Sequence, residues 1–446
     1  MAARSARLAL GGCAAVLALA ACSAGHSAPT AAPVPSSSPT PGHVSSTTEP
    51  DAGSVSPVIA GQPGGPPKIP GALSPAQLVT AYDIGPLLAR GITGKGQTIA
   101  IIDPYGSPTI KQDLAAYDKA WQLAAPPSFR VITPEGQIPP FRPTANRVHA
   151  VRETTMDVEA AHVMAPGAAI LLVETPSLQE FADAMVYVIS HDLASVISLS
   201  LDDSEANFPS LWPFHRAILG AGQPGSLVTL VAATGDYGAT NLKTDSQHLY
   251  RTPQVGWPAS DPLVVAVGGT RLGAQPPSAP VAPATSWPHS NGGRSRVFTR
   301  PPWQNAVAGV AGRWRAIPDI SLAASRKSGL EMYTTARSGG AAPGYDWSIN
   351  YGASLAAPLF AGVVALADQE AGRALGPINP LLYRLAAQHD PGIIDVQGPG
   401  NTYRHGGLEV RGFPAGPGYD LVTGLGTIDA AKFVPDLVRL ARQEAS

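Results

Sequence analysis

The chain contains 446 residues, carries a formal net charge of −2 at pH 7, and is 44% hydrophobic but only 14% charged. This balance provides no strongly basic surface, so it argues against a nucleic-acid-binding protein and we expect no nucleic-acid partner. The length permits one large α/β domain, and the two cysteines, Cys13 and Cys22, both lie near the N-terminus.

The N-terminus has the pattern of a secretory signal. Arg4 and Arg7 stand in a segment without acidic residues, and residues 8–21 are uncharged and mostly apolar. This apolar run is too short for a helix that crosses a membrane, but it suits the hydrophobic region of a signal peptide. We therefore assign residues 1–21 to a signal peptide.

The end of this segment, Leu19-Ala20-Ala21-Cys22, resembles a bacterial lipobox, in which the cysteine is diacylated and becomes the first mature residue. Cys13 leaves with the signal, so Cys22 has no partner for a disulfide within the chain. Two acyl chains are enough for stable anchoring. We expect Cys22 to be lipidated and the protein to be exported to the outer face of the cytoplasmic membrane, in a bacterial cell envelope. The alternative is a plain signal peptide that is cleaved elsewhere.

Residues 22–70 are expected to form the lipidated cysteine and a disordered tether. Residues 23–70 contain 11 prolines and only three charged residues, Glu49, Asp51 and Lys68. A segment so rich in Pro, Ser, Thr, Ala and Gly cannot bury an apolar core. The alternative, an ordered pro-segment, does not suit this composition. Residues 71–446 then form a single globular domain.

Within residues 71–446, apolar strand candidates alternate with helical stretches. This alternation predicts βαβ units, and therefore an α/β fold with a doubly wound, mainly parallel central sheet and helices on both faces. The strand candidates are Thr98–Ile102, Ile170–Glu174, Ser195–Leu199, Ser226–Ala233 and Leu263–Val267. The helical candidates are Ile110–Trp121, Glu153–Met164, Leu178–His191, Pro209–Leu219 and Leu355–Glu370.

Two carboxylates fall on one face of the helical candidate that begins at Glu153. Glu153 and Asp157 have i, i+4 spacing, which brings their side chains together. Two carboxylates so close do not ionise independently, and one tends to keep its proton. A solvated acidic helix face is the alternative, although Met156 and Val158 make this helix largely apolar.

A third carboxylate, Asp236, follows the apolar strand candidate that ends at Ala233. Open α/β sheets bind ligands at the carboxyl ends of their strands, so this position suits a functional group. Ordinary turn chemistry is the alternative reading. Asp202, Asp203 and Glu205 follow another strand in the same way, but a plain acidic loop explains them equally well and they stay outside the predicted site.

Ser354 lies between the small residues Gly352 and Ala353 and an apolar run that suits a core helix. We place Pro358 in the first turn of that helix, where a backbone N–H has no helical partner to lose. A serine at such a position has its hydroxyl near the positive end of the helix, which favours a developing oxyanion. A simple helix N-cap is the alternative.

The motifs Glu-x-x-x-Asp, Gly-Asp-x-Gly and Gly-x-Ser-x-x-x-Pro occur in that order, and together they resemble the sedolisins, or serine-carboxyl peptidases. The resemblance extends over nearly all of the globular part and implies a subtilisin-like fold. It implies that Ser354 is the nucleophile and that Glu153 is its general base. It also implies that Asp157 orients the glutamate and that Asp236 is a protonated acid in the oxyanion hole.

Such a site suits acid pH, because glutamate is a weak base and Asp236 can donate a hydrogen bond only while protonated. The chain has Ala353 where the family usually has threonine before the serine, which affects efficiency more than mechanism. A subtilisin-type triad of Asp103, His162 and Ser354 is the alternative. It is disfavoured because His162 lies roughly 140° round the helix from Asp157, and we regard it as a core residue.

A calcium site is expected near the C-terminus, where acidic residues stand among glycine-rich turns. Carboxylates and backbone carbonyls are the oxygen ligands that Ca²⁺ prefers. The resemblance implies side-chain ligands from two aspartates and carbonyl ligands from three other residues: Asp395, Asp420, Val396, Gly416 and Gly418. A surface loop with solvated acids is the alternative.

These features predict a monomeric, membrane-anchored serine peptidase, either an endopeptidase or a tripeptidyl peptidase, with protein or peptide substrates. Sedolisins are typically made with a large folded prodomain, for which residues 23–70 leave no room. The alternative is therefore a catalytically weak or dead peptidase scaffold that acts as a surface binding protein. A solute-binding lipoprotein would have two lobes and gives no reason for Glu153, Asp236 and Ser354 to occur together.

Overall fold

The structure, a computed structural model, describes residue 66 and residues 69–221, 227–275, 279–335 and 347–445. The signal peptide, Cys22 and nearly all of the tether lie outside the described residues, as does Ser226 at the start of one strand candidate. The described helices are α1 Pro75–Ala81, α2 Gly85–Ala89, α3 Ile110–Trp121, α4 Ala145–Met164, α5 Phe181–Ser190, α6 Trp212–Ala221, α7 Ala308–Ala311, α8 Ala353–Ala371, α9 Asn379–Ala387 and α10 Ala430–Ala445. Among these helices, none combines the length and apolarity needed to cross a membrane.

The strands fall into one large sheet and several small ones. Their bounds are β1 Ala72–Leu73, β2 Thr98–Pro104, β3 Phe129–Ile132, β4 Ala169–Thr175, β5 Val196–Leu199, β6 Asp203–Ser204, β7 Thr229–Ala233, β8 Gly256–Trp257, β9 Val264–Leu272, β10 Ala284–Ser286, β11 Gly293–Thr299, β12 Trp314–Ile317, β13 Ile320–Ala323, β14 Gly329–Tyr333, β15 Trp347–Asn350, β16 Ile393–Ile394, β17 Tyr403–His405, β18 Leu408–Val410 and β19 Thr427–Ile428.

The large sheet has the order β10-β9-β7-β5-β2-β4-β3, and β13 also pairs with β9. All of its neighbouring pairs are parallel except β10 with β9. The strand β2 lies between β4 and β5, so the chain moves outward from β2 in both directions. The predicted doubly wound, mainly parallel sheet is therefore confirmed.

The sheet separates two hydrophobic cores, because successive side chains of a strand point to opposite faces. Ile99 and Ile101 of β2 pack in the core that includes α4, α8 and α10. Ile102 and Ala100 belong to the other core, which includes α5 and α6. Helices therefore cover both faces, as predicted from the alternation of strands and helices.

Two helices that carry the predicted site differ in detail from the sequence prediction. The helix α4 begins at Ala145 rather than Glu153, because the Thr144 hydroxyl caps it by accepting a hydrogen bond from the Arg147 N–H at 3.4 Å. Both carboxylates therefore lie in the middle of the helix. The prediction for Pro358 was wrong, since α8 begins at Ala353 and Pro358 is inside it, in the second turn.

Candidate active site

The start of α8 is shaped by Gly352, which joins the helix to the preceding strand β15. Gly352 has φ of +124°, in the region that favours glycine, and its N–H donates to the carbonyl of Ala324 at 2.8 Å. A Cβ atom at this position would lie 2.6 Å from Oδ2 of Asp236. The glycine thus lets the chain turn and also lets Asp236 approach the helix. Ser354 follows as the second residue of α8, and it is partly exposed.

Asp236 follows β7 and reaches the N-terminus of α8. Its Oδ1 accepts a hydrogen bond from the Ala353 N–H at 2.7 Å. The N-cap residue of α8, Gly352, has no side chain that could do this, so a residue distant in sequence caps the helix instead. Burial raises the pKa of Asp236 to about 6, although this backbone hydrogen bond favours the ionised form. At mildly acid pH the carboxyl group therefore keeps its proton and can donate a hydrogen bond.

Glu153 projects from α4 toward Ser354. Burial raises its pKa to about 8, although the nearby Ser354 side chain favours the ionised form. The charges of Asp103 and Asp236 raise the Glu153 pKa further, which places both aspartates near the glutamate. The structure therefore brings together Glu153, Ser354 and Asp236, which come from three separate segments of the sequence.

Asp157 lies one helical turn beyond Glu153 and is fully buried. Burial raises its pKa well above the ordinary range, and the charges of Asp103 and Glu153 act in the same direction. Neither carboxylate oxygen has a hydrogen-bond partner that meets normal geometry among the described residues, although the Ser200 hydroxyl is near enough to lower the Asp157 pKa somewhat. A buried carboxyl with so few donors is stable mainly in its neutral form.

Asp103 is a further member of this carboxyl cluster. It lies near the C-terminal end of β2, where burial raises its pKa to about 7. The nearby Thr154 hydroxyl lowers this pKa, and the charge of Glu174 raises it. The sequence analysis considered Asp103 only as part of a histidine triad. Its position at the end of a buried strand was the available signal for a place in the site.

His162 does not join this cluster. Its ring is fully buried, and its Nε2 lies 3.0 Å from the carbonyl oxygen of Ala124 and 3.3 Å from Oδ1 of Asp118. The structure instead brings Asp103 to Glu153 and Asp157. The arrangement of the described residues therefore does not support the alternative triad with His162 as base.

Asp202, which the sequence analysis left outside the site, lies beside Asp236. Its Oδ2 accepts a hydrogen bond from Asn241 Nδ2 at 2.7 Å. Burial raises its pKa well above the ordinary range, and the charges of Asp203 and Asp236 raise it further. A Cβ atom at Gly235 would collide with this carboxylate, so the glycine before Asp236 makes room for it.

The predicted calcium ligands lie together in loops near β16 and β19. Asp395 is exposed, and its Oδ1 accepts a hydrogen bond from the Gly418 N–H at 3.1 Å. Asp420 is buried, and its Oδ1 accepts from Val422 and Thr423 N–H groups, both at 2.8 Å. Burial raises the pKa of Asp420, and the neighbouring charge of Asp395 raises it further.

The donor set of this loop contains only oxygen atoms. The carbonyl of Val396 accepts a hydrogen bond from the Thr423 hydroxyl at 3.0 Å, while Gly416 and Gly418 lie in the turn before Asp420. Within the described ranges, no group of three or more His, Cys, Asp or Glu side chains is placed to hold a metal. Main-chain carbonyls would therefore have to complete the coordination, and two neighbouring carboxylates with carbonyls fit the preference of calcium.

Comparison with known proteins places the chain in a recognised family. Residues 149–379 match the sequence model of the Subtilase family. Kumamolisin of Bacillus sp. (strain MN-32) is 31% identical over 396 residues, which cover 84% of this chain and 65% of kumamolisin. Sedolisin of Pseudomonas sp. (strain 101) is 32% identical over 257 residues, which cover 55% of this chain and 41% of sedolisin.

A solved structure gives the same answer for the fold. Pseudomonas sedolisin, described as a serine-carboxyl proteinase complexed with two molecules of pseudo-iodotyrostatin, has a TM-score of 0.68 and 26% sequence identity. The match covers 82% of this chain and 98% of that one. The predicted resemblance to the sedolisins and the subtilisin-like fold are thereby confirmed. The chain spans 65% or less of the length of the two curated relatives.

The buried carboxyl groups predict that the protein is more stable in acid than at neutral pH. Asp236 has an ordinary pKa of 3.8 and a folded pKa of about 6, so the folded protein holds the proton more tightly. Its stabilising contribution is complete below pH 3.8 and is lost as the pH rises through about 6. We expect the melting temperature to be higher at about pH 4 than at about pH 8.

Asp236→Asn removes one titrating group and should reduce this difference, by about 2 kcal/mol in the free energy of unfolding between these two pH values. Asp245→Asn is a suitable control, because Asp245 is exposed and its pKa is lowered to about 2, outside the range of the measurement. Calorimetry at both pH values, with chelator present, makes the comparison. A melting temperature that rises with pH would contradict the prediction.

Proposed function

The chain belongs to the subtilase family, and we propose that it is a serine-carboxyl peptidase that hydrolyses peptide bonds in proteins or peptides. One observation carries the proposal. The hydroxyl of Ser354 lies near enough to the buried Glu153 to favour its ionised form, while a second buried carboxyl, Asp236, lies at the same helix start. A nucleophile, a base and an acid are thus available at one position.

In the proposed mechanism, the ionised Glu153 accepts the proton of the Ser354 hydroxyl as its Oγ attacks the carbonyl carbon of the substrate. The protonated Asp236 donates a hydrogen bond to the oxyanion that forms. When the C–N bond breaks, Glu153 returns the proton to the leaving amine, and an acyl-enzyme remains. Water then attacks the acyl group by the same route in reverse, which releases the acid product and restores Ser354.

Asp157 has a supporting role in this scheme. Its burial favours the neutral acid, and a neutral Asp157 allows Glu153 to carry the one negative charge that the base requires. The ionised Glu153 is favoured by the Ser354 hydroxyl, whereas the Ser200 hydroxyl near Asp157 donates its hydrogen to the carbonyl of Ser354. The carboxyl pair therefore has a reason to hold its charge on the residue that faces the nucleophile.

The same acids support an acid preference. Asp236 must be protonated to stabilise the oxyanion, and its pKa is about 6, whereas Glu153, whose pKa is raised to about 8, must be ionised, so the reactive pair shares one proton. Activity that depends on this donor should fall as Asp236 loses its proton. The missing hydroxyl at Ala353 removes none of the groups in the mechanism. Of the relatives, several are tripeptidyl-peptidases, so both endopeptidase and tripeptidyl-peptidase specificity suit this site.

Outside the site, we propose that calcium binds through Asp395, Asp420 and the carbonyls of Val396, Gly416 and Gly418. The bound ion would offset the repulsion between the two carboxylates and hold the loop. We also propose that Cys22 is lipidated and anchors a monomeric enzyme at the outer face of the cytoplasmic membrane. Support for the anchor comes from the lipobox-like sequence alone.

Peptide hydrolysis should require all four proposed catalytic residues and should be faster at acid than at neutral pH. Ser354→Ala and Glu153→Ala should abolish measurable turnover. Asp236→Ala should lower kcat about 100- to 1000-fold, as removal of an oxyanion donor does. Asp236→Asn keeps a donor, so it should retain more activity and lose part of the pH dependence. Initial rates on a mixed peptide library, measured across pH, provide the test.

His162→Ala is the control for the base. A folded His162→Ala protein should stay active, because the His162 ring faces Asp118 and Ala124 instead of Ser354. Activity in Glu153→Ala together with inactivity in folded His162→Ala would restore the subtilisin-type triad. If the wild-type protein binds peptides but shows no cleavage that depends on Ser354, the alternative function as a surface binding protein is favoured.

The lipid anchor predicts that Cys22→Ser moves the protein from the membrane to the soluble fraction. Cys13→Ser is the matched control, since Cys13 lies within the predicted signal peptide and is removed with it. Phase separation in detergent after expression in a bacterial host distinguishes the two variants. The anchor would be wrong if Cys22→Ser protein entered the detergent phase as fully as the wild type.

Calcium should raise the melting temperature of metal-stripped protein. A ligand that binds only the folded state stabilises it by about 2.7 kcal/mol at a hundredfold excess over its Kd. Asp420→Asn should reduce the calcium effect, whereas Asp245→Asn, another loop aspartate that accepts backbone N–H groups, should leave it unchanged. A melt that neither calcium nor chelator shifts would exclude the site.

A further inference from the structure

Pro358 leaves the main chain of the proposed nucleophile without its helical hydrogen bond. In an α-helix, the N–H of each residue bonds to the carbonyl four residues earlier, so the partner of the Ser354 carbonyl would be residue 358. Proline has no N–H, and Pro358 lies inside α8. The carbonyl of Ser354 is therefore free for another donor.

Ser200 provides that donor. Its Oγ donates a hydrogen bond to the carbonyl oxygen of Ser354 at 3.0 Å. Ser200 directly follows β5, whose four residues are all buried in the middle of the large sheet. The hydroxyl thus connects the main chain of Ser354 to the end of a buried central strand.

The start of α8 is consequently held at two points. Asp236, which follows β7, accepts a hydrogen bond from the N–H of Ala353, and Ser200, which follows β5, donates to the carbonyl of Ser354. The strands β5 and β7 are parallel neighbours, so the two contacts come from adjacent strand ends. The peptide group before Ala353 and the one after Ser354 are therefore both held, which limits rotation of the main chain between them and sets the direction of the Ser354 Cα–Cβ bond.

We propose that Ser200 is a positioning residue for Ser354 and replaces the backbone N–H that Pro358 cannot supply. The proposal rests on the proposed function, in which Ser354 is the nucleophile. Ser200 touches neither the substrate nor the reacting atoms in this scheme. Its role is to keep the Ser354 hydroxyl aligned with Glu153 throughout the reaction.

The test combines removal of the hydroxyl with restoration of the missing N–H. Ser200→Ala should lower kcat about tenfold, because a partly buried carbonyl loses its hydrogen bond, while KM changes less than about twofold. Ser200→Thr keeps a hydroxyl and should recover most of this loss. Pro358→Ala supplies the N–H at the helical position, so Ser200→Ala in the Pro358→Ala background should lower kcat only about twofold.

Ser198→Ala is the matched control. Ser198 lies in β5, two residues before Ser200, and its buried hydroxyl has no hydrogen-bond partner in the described part of the chain. This variant should change kcat by less than about twofold. All variants are prepared in the full chain and compared by kcat and KM on one peptide, after circular dichroism shows that they are folded.

Three outcomes overturn the inference. The first is a Ser200→Ala protein with wild-type kcat. The second is a Ser200→Ala substitution that lowers kcat equally in the wild-type background and in the Pro358→Ala background. A loss confined to KM would instead place Ser200 in substrate binding. In each of these cases Ser354→Ala stays inactive and the proposed function stands. An active Ser354→Ala protein would instead overturn the proposed function, and the inference with it.

Discussion

Burial of carboxyl groups around one serine is the constraint on which the site depends. A carboxylate loses most of its hydration when it is buried, so the neutral acid is favoured unless hydrogen bonds or cations compensate. Asp103, Glu153, Asp157 and Asp236 all have raised pKa values, and burial is the largest cause for each. The cluster therefore holds protons that isolated carboxyl groups would lose, and its titration moves from acid toward neutral pH.

The parallel sheet explains why these groups meet. Carboxyl ends of parallel strands lie along one edge of a sheet, and the strands β2, β5 and β7 are consecutive in the large sheet. They bring Asp103, Ser200 and Asp236 to that edge, while α4 and α8 pack against each other across the same core. The residues come from distant parts of the sequence, and the strand order alone makes them neighbours.

The sequence could predict the parts of the site that depend on local pattern. The spacing of Glu153 and Asp157 follows from helical periodicity, and Asp236 follows from its place after a buried strand. It could not predict that Pro358 lies inside α8, because the compensating donor, Ser200, is more than 150 residues away. Asp202 was missed for a similar reason, since only the folded chain brings it against Gly235 and Asp236. The calcium ligands stay a prediction from resemblance.

The position of one proton distinguishes the active state from an inactive state of equal charge. In the proposed mechanism Glu153 is ionised and Asp236 is protonated, and the reverse arrangement cannot react. The Ser354 hydroxyl favours the ionised glutamate, whereas the Ala353 N–H at the helix start favours the ionised aspartate. A substrate carbonyl beside Asp236 can accept a hydrogen bond only from the protonated acid. Substrate binding therefore favours the distribution of protons that the reaction needs, without a change in the total charge of the cluster.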